Sequence, residues 1–272
     1  MNKLLFISLF LFNTYAFNFG NNFGLDIDHS PQWRTYRDNQ KLEVSKCEIE
    51  LFNSNVSLNS KGQLEKAFDI VLEVDPAIGK QINVLRKNSE VSINEFTAAI
   101  RRKYGIDNKT SALYIHEEKA IYVNSSDELG LLVIFLYHEI SHALDSKIEV
   151  ELSEVFKLYD QYSENYQMMQ VIATERGHTG NGDFSTFLSD TERVILSNEY
   201  RSYINLDQLY RFRAERFAFT KQDTFVNRLF TNYSCYQDYI EEHKKLNGLK
   251  LFVETPDSYI FDAYGINSSI LE

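Results

Sequence analysis

The stretch LGLLVIFLYHEISHALD, running from Leu129 to Asp145, decides how this chain is read. Its apolar run predicts a helix buried on most of its circumference, because a helix that is hydrophobic all round has no face to give to water. Two histidines and a glutamate on such a helix need a polar purpose, since burying them unpaired is costly. Residues four apart stand one above the other on a helix, so His138 and His142 point to one side and can share a metal ion. Glu139 lies about 100° round the helix from His138, placed to face a water held by that metal without ligating it. Zinc brings the pKa of such a water towards ~7, and a carboxylate can then take its proton. With six histidines in 272 residues, an H-E-x-x-H match by accident is about a one-in-a-hundred event.

Immediately upstream, residues 111–116 (SALYIH) and 120–124 (AIYVN) are strand-like, and Glu117, Glu118 and Lys119 between them make a hairpin. Ser126 with Glu128 starts the motif helix. Further back, Leu64, Phe68, Val71 and Leu72 have helical spacing over residues 63–75, and Pro76 stops that helix. Ile93, Phe96, Ala99 and Ile100 repeat the pattern over 91–104, with Ser92 and Glu95 as a capping box and Gly105 as terminator. Downstream, 150–175 reads as helix, 176–190 as a Gly-rich loop, and Thr191 to about Phe230 as one long helix or two. The expectation is an α+β fold, mainly α-helical, with a small β-hairpin or sheet next to the motif helix. No repeat or low-complexity linker divides residues 17–272, which predicts a single domain.

Hydrophobic residues make up 43% of the chain, enough for a substantial core. The net charge is −11, from 28 Lys and Arg against 39 Asp and Glu, which argues against a nucleic-acid partner because neutralising phosphate needs basic surface. Residues 1–16 read as a secretory signal: Lys3 first, an apolar run from Leu4 to Phe12, then Thr14 and Ala16 before the cut. That run is too short to span a bilayer. An exported chain, periplasmic or extracellular, with no stable membrane anchor after signal removal, is expected. In such a compartment Cys47 and Cys235 are candidates for one disulfide. Neither has the spacing of a metal knuckle.

The strand of Ile-Tyr-Val-Asn character at 121–124, followed by H-E-x-S-H-A-x-D on a helix, resembles the zincin metallopeptidases over residues 111–145. The resemblance implies a zincin-like fold, a Zn2+ cofactor and a peptide or protein substrate. It also implies that residues 120–124 pair by their edge with an extended substrate. Glu139 would be the catalytic base, and His138 and His142 two metal ligands.

A catalytic zinc normally has three protein ligands. In the metzincin pattern the third is a histidine six residues past His142, but Ile148 stands there, and Asp145 replaces the glycine. The gluzincin-like alternative takes a glutamate from a later helix. Glu215 has small neighbours in Ala214 and Ala218, which let helices approach closely, and is the preferred third metal ligand. Glu199, on a largely apolar stripe with Ile195, Tyr203 and Leu206, is the alternative. Asp145, three residues beyond His142, is expected to be a solvated helix-end carboxylate, the alternative being a group that orients a ligand or the neighbouring backbone. Two competing readings use the same residues: a zinc hydrolase of a non-peptide amide or ester, and a non-catalytic protein with a structural zinc helix.

Overall fold

A computed structural model describes residues 62–108, 110–124, 129–180, 183–247 and 254–271. The signal segment, His29, Cys47 and the start of the motif helix at Ser126 and Glu128 lie outside the described residues. The described residues form two compact units, one of those up to Asp145 together with Glu215–Ile266, the other of Ser146–Ala214 with those from Asn267 onward. Among the described residues the fold is mainly helical, with one three-stranded sheet.

In the first unit, α1 (Gln63–Val74) buries Ala67, Phe68, Ile70, Val71 and Val74, the stripe that its periodicity predicts. The helix ends at Val74, just before Pro76 as expected, and Pro76 then opens a second helix, α2 (Pro76–Lys87). Asp75 caps that second helix by accepting the Ile78 N–H at 3.2 Å. Proline is tolerated at a first helical position because the missing N–H has no intrahelical acceptor there.

The helix expected over 91–104 is two elements instead. Ser92–Glu95 is strand β1, and only Ala98–Tyr104 is helical, as α3. Thr97, accepting from Ile100 N at 3.2 Å, is the true cap, and Gly105 ends the helix in the left-handed conformation, φ 64°. Ser92 and Glu95 have capping-box spacing, but their backbone is taken up by pairing with a neighbouring strand. Spacing alone does not register such long-range pairing.

The expected hairpin is present. Strand β2 (Ala112–Ile115) runs antiparallel to β3 (Ala120–Val123), with Leu113 opposite Tyr122 and Tyr114 opposite Ile121. Strand β1 pairs with β3 in parallel, so the order is β1-β3-β2. This corrects the edge role expected for residues 120–124: β3 is central, paired on both sides, and all four of its residues are buried. Glu118, in the turn between β2 and β3, accepts hydrogen bonds from Lys103 and Tyr104 of α3 and from Tyr122 of β3.

Helix α4 (Leu129–Ala143) carries the motif, and every residue from Leu129 to His142 is buried. It packs against α1, β2 and β3, and its core extends to Phe225, Val226, Leu229, Tyr236 and Ile240. Full burial of each large apolar side chain contributes about 1.5–3 kcal/mol, so this helix is held by packing. Gly130 is required by close approach: a Cβ there would stand 2.6 Å from the Tyr239 ring. Tyr239 lies on α7 (Cys235–Asn247), after the long helix α6 (Asp190–Asn232). The unit ends with α8 (Asp257–Tyr264), closed by Gly265 at φ 60°. Cys235 is disulfide-bonded, and the other cysteine of the chain is Cys47.

The second unit contains α5 (Ile148–Glu175) and residues 190–214 of α6. Met169, Ala173, Phe184 and Leu188 form its small core, and the Tyr159 and Tyr203 rings meet at 5.3 Å. Phe184–Phe187 adds a short 3-10 turn to the expected loop, and the helix after it is one uninterrupted element. Among the described residues no helix is long and apolar enough to cross a membrane.

Candidate metal centre

His138 and His142 face the same way from α4, as their spacing requires, and their Nε2 atoms are 3.2 Å apart. Glu215 reaches them from α6. One of its oxygens lies 3.3 Å from His138 Nε2 and the other 3.5 Å from His142 Nε2. All three residues are buried, and one ligand atom from each lies within 4.8 Å of the others. The small neighbours expected to permit this approach, Ala214 and Ala218, are themselves buried.

Glu199 is not part of the group. It belongs to the second unit, where it accepts hydrogen bonds from Asn165 at 2.6 Å and Gln161 at 3.2 Å. Asp145 is buried, contrary to the solvated position expected of it: its N–H turns back to the His142 carbonyl at 3.1 Å. His178 sits in the second unit near the Phe184 and Phe187 rings.

The surroundings of the group hold residues that sequence spacing did not single out. Gln222 Oε1 lies 3.1 Å from His138 Nδ1. An amide oxygen only accepts, so Nδ1 carries a proton, and Nε2 is the ring nitrogen that faces the group. Glu215, Phe219 and Gln222 follow i, i+4, i+7 spacing on α6, the pattern by which a ligand at Glu215 points to Gln222 on the same face. The Phe219 ring meets His138 edge-on at 4.6 Å. The Tyr114 N–H of β2 donates to Glu139 Oε2 at 2.7 Å, a backbone contact with no side-chain signature.

Charge is strongly coupled here. Burial disfavours an ionised Glu215, but the two histidines outweigh it and hold the carboxyl well below the usual range. Burial likewise opposes a charged His142, and Glu215 outweighs it, raising that imidazole. Glu139 goes the other way: burial pushes its carboxyl up, Glu215 adds to this, and the histidines and the Tyr114 N–H oppose it.

The donor set fits zinc. Tetrahedral bonds of about 2.0–2.1 Å have ligand-to-ligand edges of about 3.3–3.4 Å, and the group already shows 3.2, 3.3 and 3.5 Å. Among the described residues the group has these three members. Comparison with protein families, curated proteins and solved structures finds no match to the chain.

Proposed function

We propose that this protein is an exported zinc-dependent peptidase of zincin-like, gluzincin-like type, with His138, His142 and Glu215 as metal ligands and Glu139 as catalytic base. The convergence of two histidines from α4 and one glutamate from α6 within 4.8 Å, beside a second buried carboxylate, carries this reading. Zinc held there supplies Lewis acidity, which acidifies water and polarises a carbonyl oxygen.

The chain's own residues do the rest. Tyr114 N–H holds Glu139 Oε2, leaving Oε1 to carry the proton. Glu139 takes a proton from the water as its oxygen attacks the carbonyl carbon, and passes it to the departing nitrogen as the C–N bond breaks. A carboxyl raised by burial suits both steps, because a base poised closer to neutrality also serves as acid.

A peptide substrate is favoured by the position of β2. It is the outer strand of the described sheet on the side of Glu139, and Tyr114 N–H points away from β3. The Tyr114 N–H is taken by Glu139, and Ala112, two residues before it on the strand, turns its backbone to the same outer edge, where an extended chain pairs by strand addition. Export is supported by the disulfide at Cys235, since such bonds persist in oxidising compartments. The test is hydrolysis of a mixed peptide library by the mature chain. Cleavage that a chelator abolishes and zinc restores is expected. Turnover of small amides or esters with all peptides intact would replace the substrate class.

A further inference from the structure

The segment 254–266 is fastened beside the metal-ligating group. Asp223 is buried and gives both carboxylate oxygens to Thr255, one to its N–H at 2.6 Å and one to its hydroxyl at 2.7 Å. Arg216, next to Glu215, donates to the Thr255 carbonyl at 2.6 Å and pairs with Asp257 at 2.9 Å. These bonds fix the start of α8, and Ile266 is buried just beyond its end. Between them, the Phe219 ring meets Tyr259 at 5.8 Å and Tyr264 at 6.2 Å, on the residue that also meets His138.

Tyr264 is thereby buried with its hydroxyl hydrogen-bonded to Glu215 and within electrostatic reach of Glu139. A carboxylate only accepts, so the phenol hydroxyl is the donor of that bond. The proton transfers assigned to Glu139 do not use it. We propose that Tyr264 is a positioning residue of the metal centre, whose hydroxyl donates to the Glu215 carboxylate and sets the orientation in which that ligand meets His138 and His142. This rests on the reading of the group as a metal site. A carboxylate ligand has two competing oxygens, and a fixed donor on one of them decides how the other is presented. The last helix of the first unit is then part of the centre, 49 residues beyond the ligand that it supports.

Tyr264→Phe keeps the ring against Phe219 and removes only the hydroxyl. The experiment measures zinc affinity of the full mature chain by competition with a chromophoric chelator, the visible spectrum after cobalt substitution, and melting of the metal-free protein. A zinc Kd raised about 10–100-fold, with a changed cobalt spectrum and a metal-free melting point close to the parent's, is expected. Thr255→Ala, which loosens the fastening without touching the hydroxyl, should raise the zinc Kd in the same direction. Parental affinity and an unchanged cobalt spectrum in Tyr264→Phe overturn the positioning role and leave the metal centre standing. A parent chain that takes up no zinc overturns both.

Discussion

His138 Nδ1 donates to Gln222 Oε1 at 3.1 Å, from a helix that also supplies Glu215 two turns earlier. One face of α6 thus provides both a ligand and the group that orients another ligand. Outer partners of this kind tune metal affinity by about 10–100-fold. Gln222→Ala should weaken zinc binding by that order, while Gln222→Glu, which keeps an acceptor on Nδ1, should restore most of it. Chelator competition measures both, and equal affinity in parent and alanine variant would remove this role from Gln222.

Glu139→Gln separates base from ligand. Glu139 is held by the Tyr114 N–H and is absent from the three-residue group, so the glutamine variant should retain zinc. Its turnover of peptide should fall by about 10²–10⁴-fold, the usual contribution of a general base. Loss of zinc together with activity would instead make Glu139 a ligand.

How much of this was legible in the sequence differs from element to element. Short-range periodicity served where the partner lay on the same helix: His138 and His142 and the buried stripe of α1 follow from spacing alone, whereas spacing leaves open whether α6 is one helix or two. It failed where a distant strand competed for the backbone, as at Ser92–Glu95, and so the central place of β3 was also missed. Glu215 was favoured over Glu199 on the bulk of its neighbours, and the two were not separable by pattern, because each lies on a face with apolar residues. Tyr264 had no signal at all: one tyrosine among 17, brought to Glu215 by the Asp223 and Arg216 contacts of its segment.

The Glu118 cluster gives a pH-dependent contribution to stability away from the centre. Burial opposes ionisation of Glu118, but hydrogen bonds from Lys103, Tyr104 and Tyr122 outweigh it and lower its pKa below the ordinary 4.5. A carboxyl lowered on folding stabilises the fold above its unfolded pKa, and that stabilisation is lost as the pH falls through the folded value. Glu118→Gln should therefore cost about 1–2 kcal/mol at neutral pH. The unfolding curves of variant and parent, both metal-free, should converge below pH 4.5. A gap that stays constant from neutral to acid pH would show that the charge contributes nothing.

The central claim is that His138, His142 and Glu215 together hold one zinc ion. The most direct measurement is zinc content, by elemental analysis, of the purified mature chain and of four variants: His138→Ala, His142→Ala, Glu215→Ala and Glu199→Ala. The account predicts close to one zinc per chain in the parent and in Glu199→Ala, and loss of most of it in the other three. Full zinc in Glu215→Ala, or its loss in Glu199→Ala alone, would contradict the assignment of the third ligand. A metal-free parent after zinc loading would contradict the centre itself.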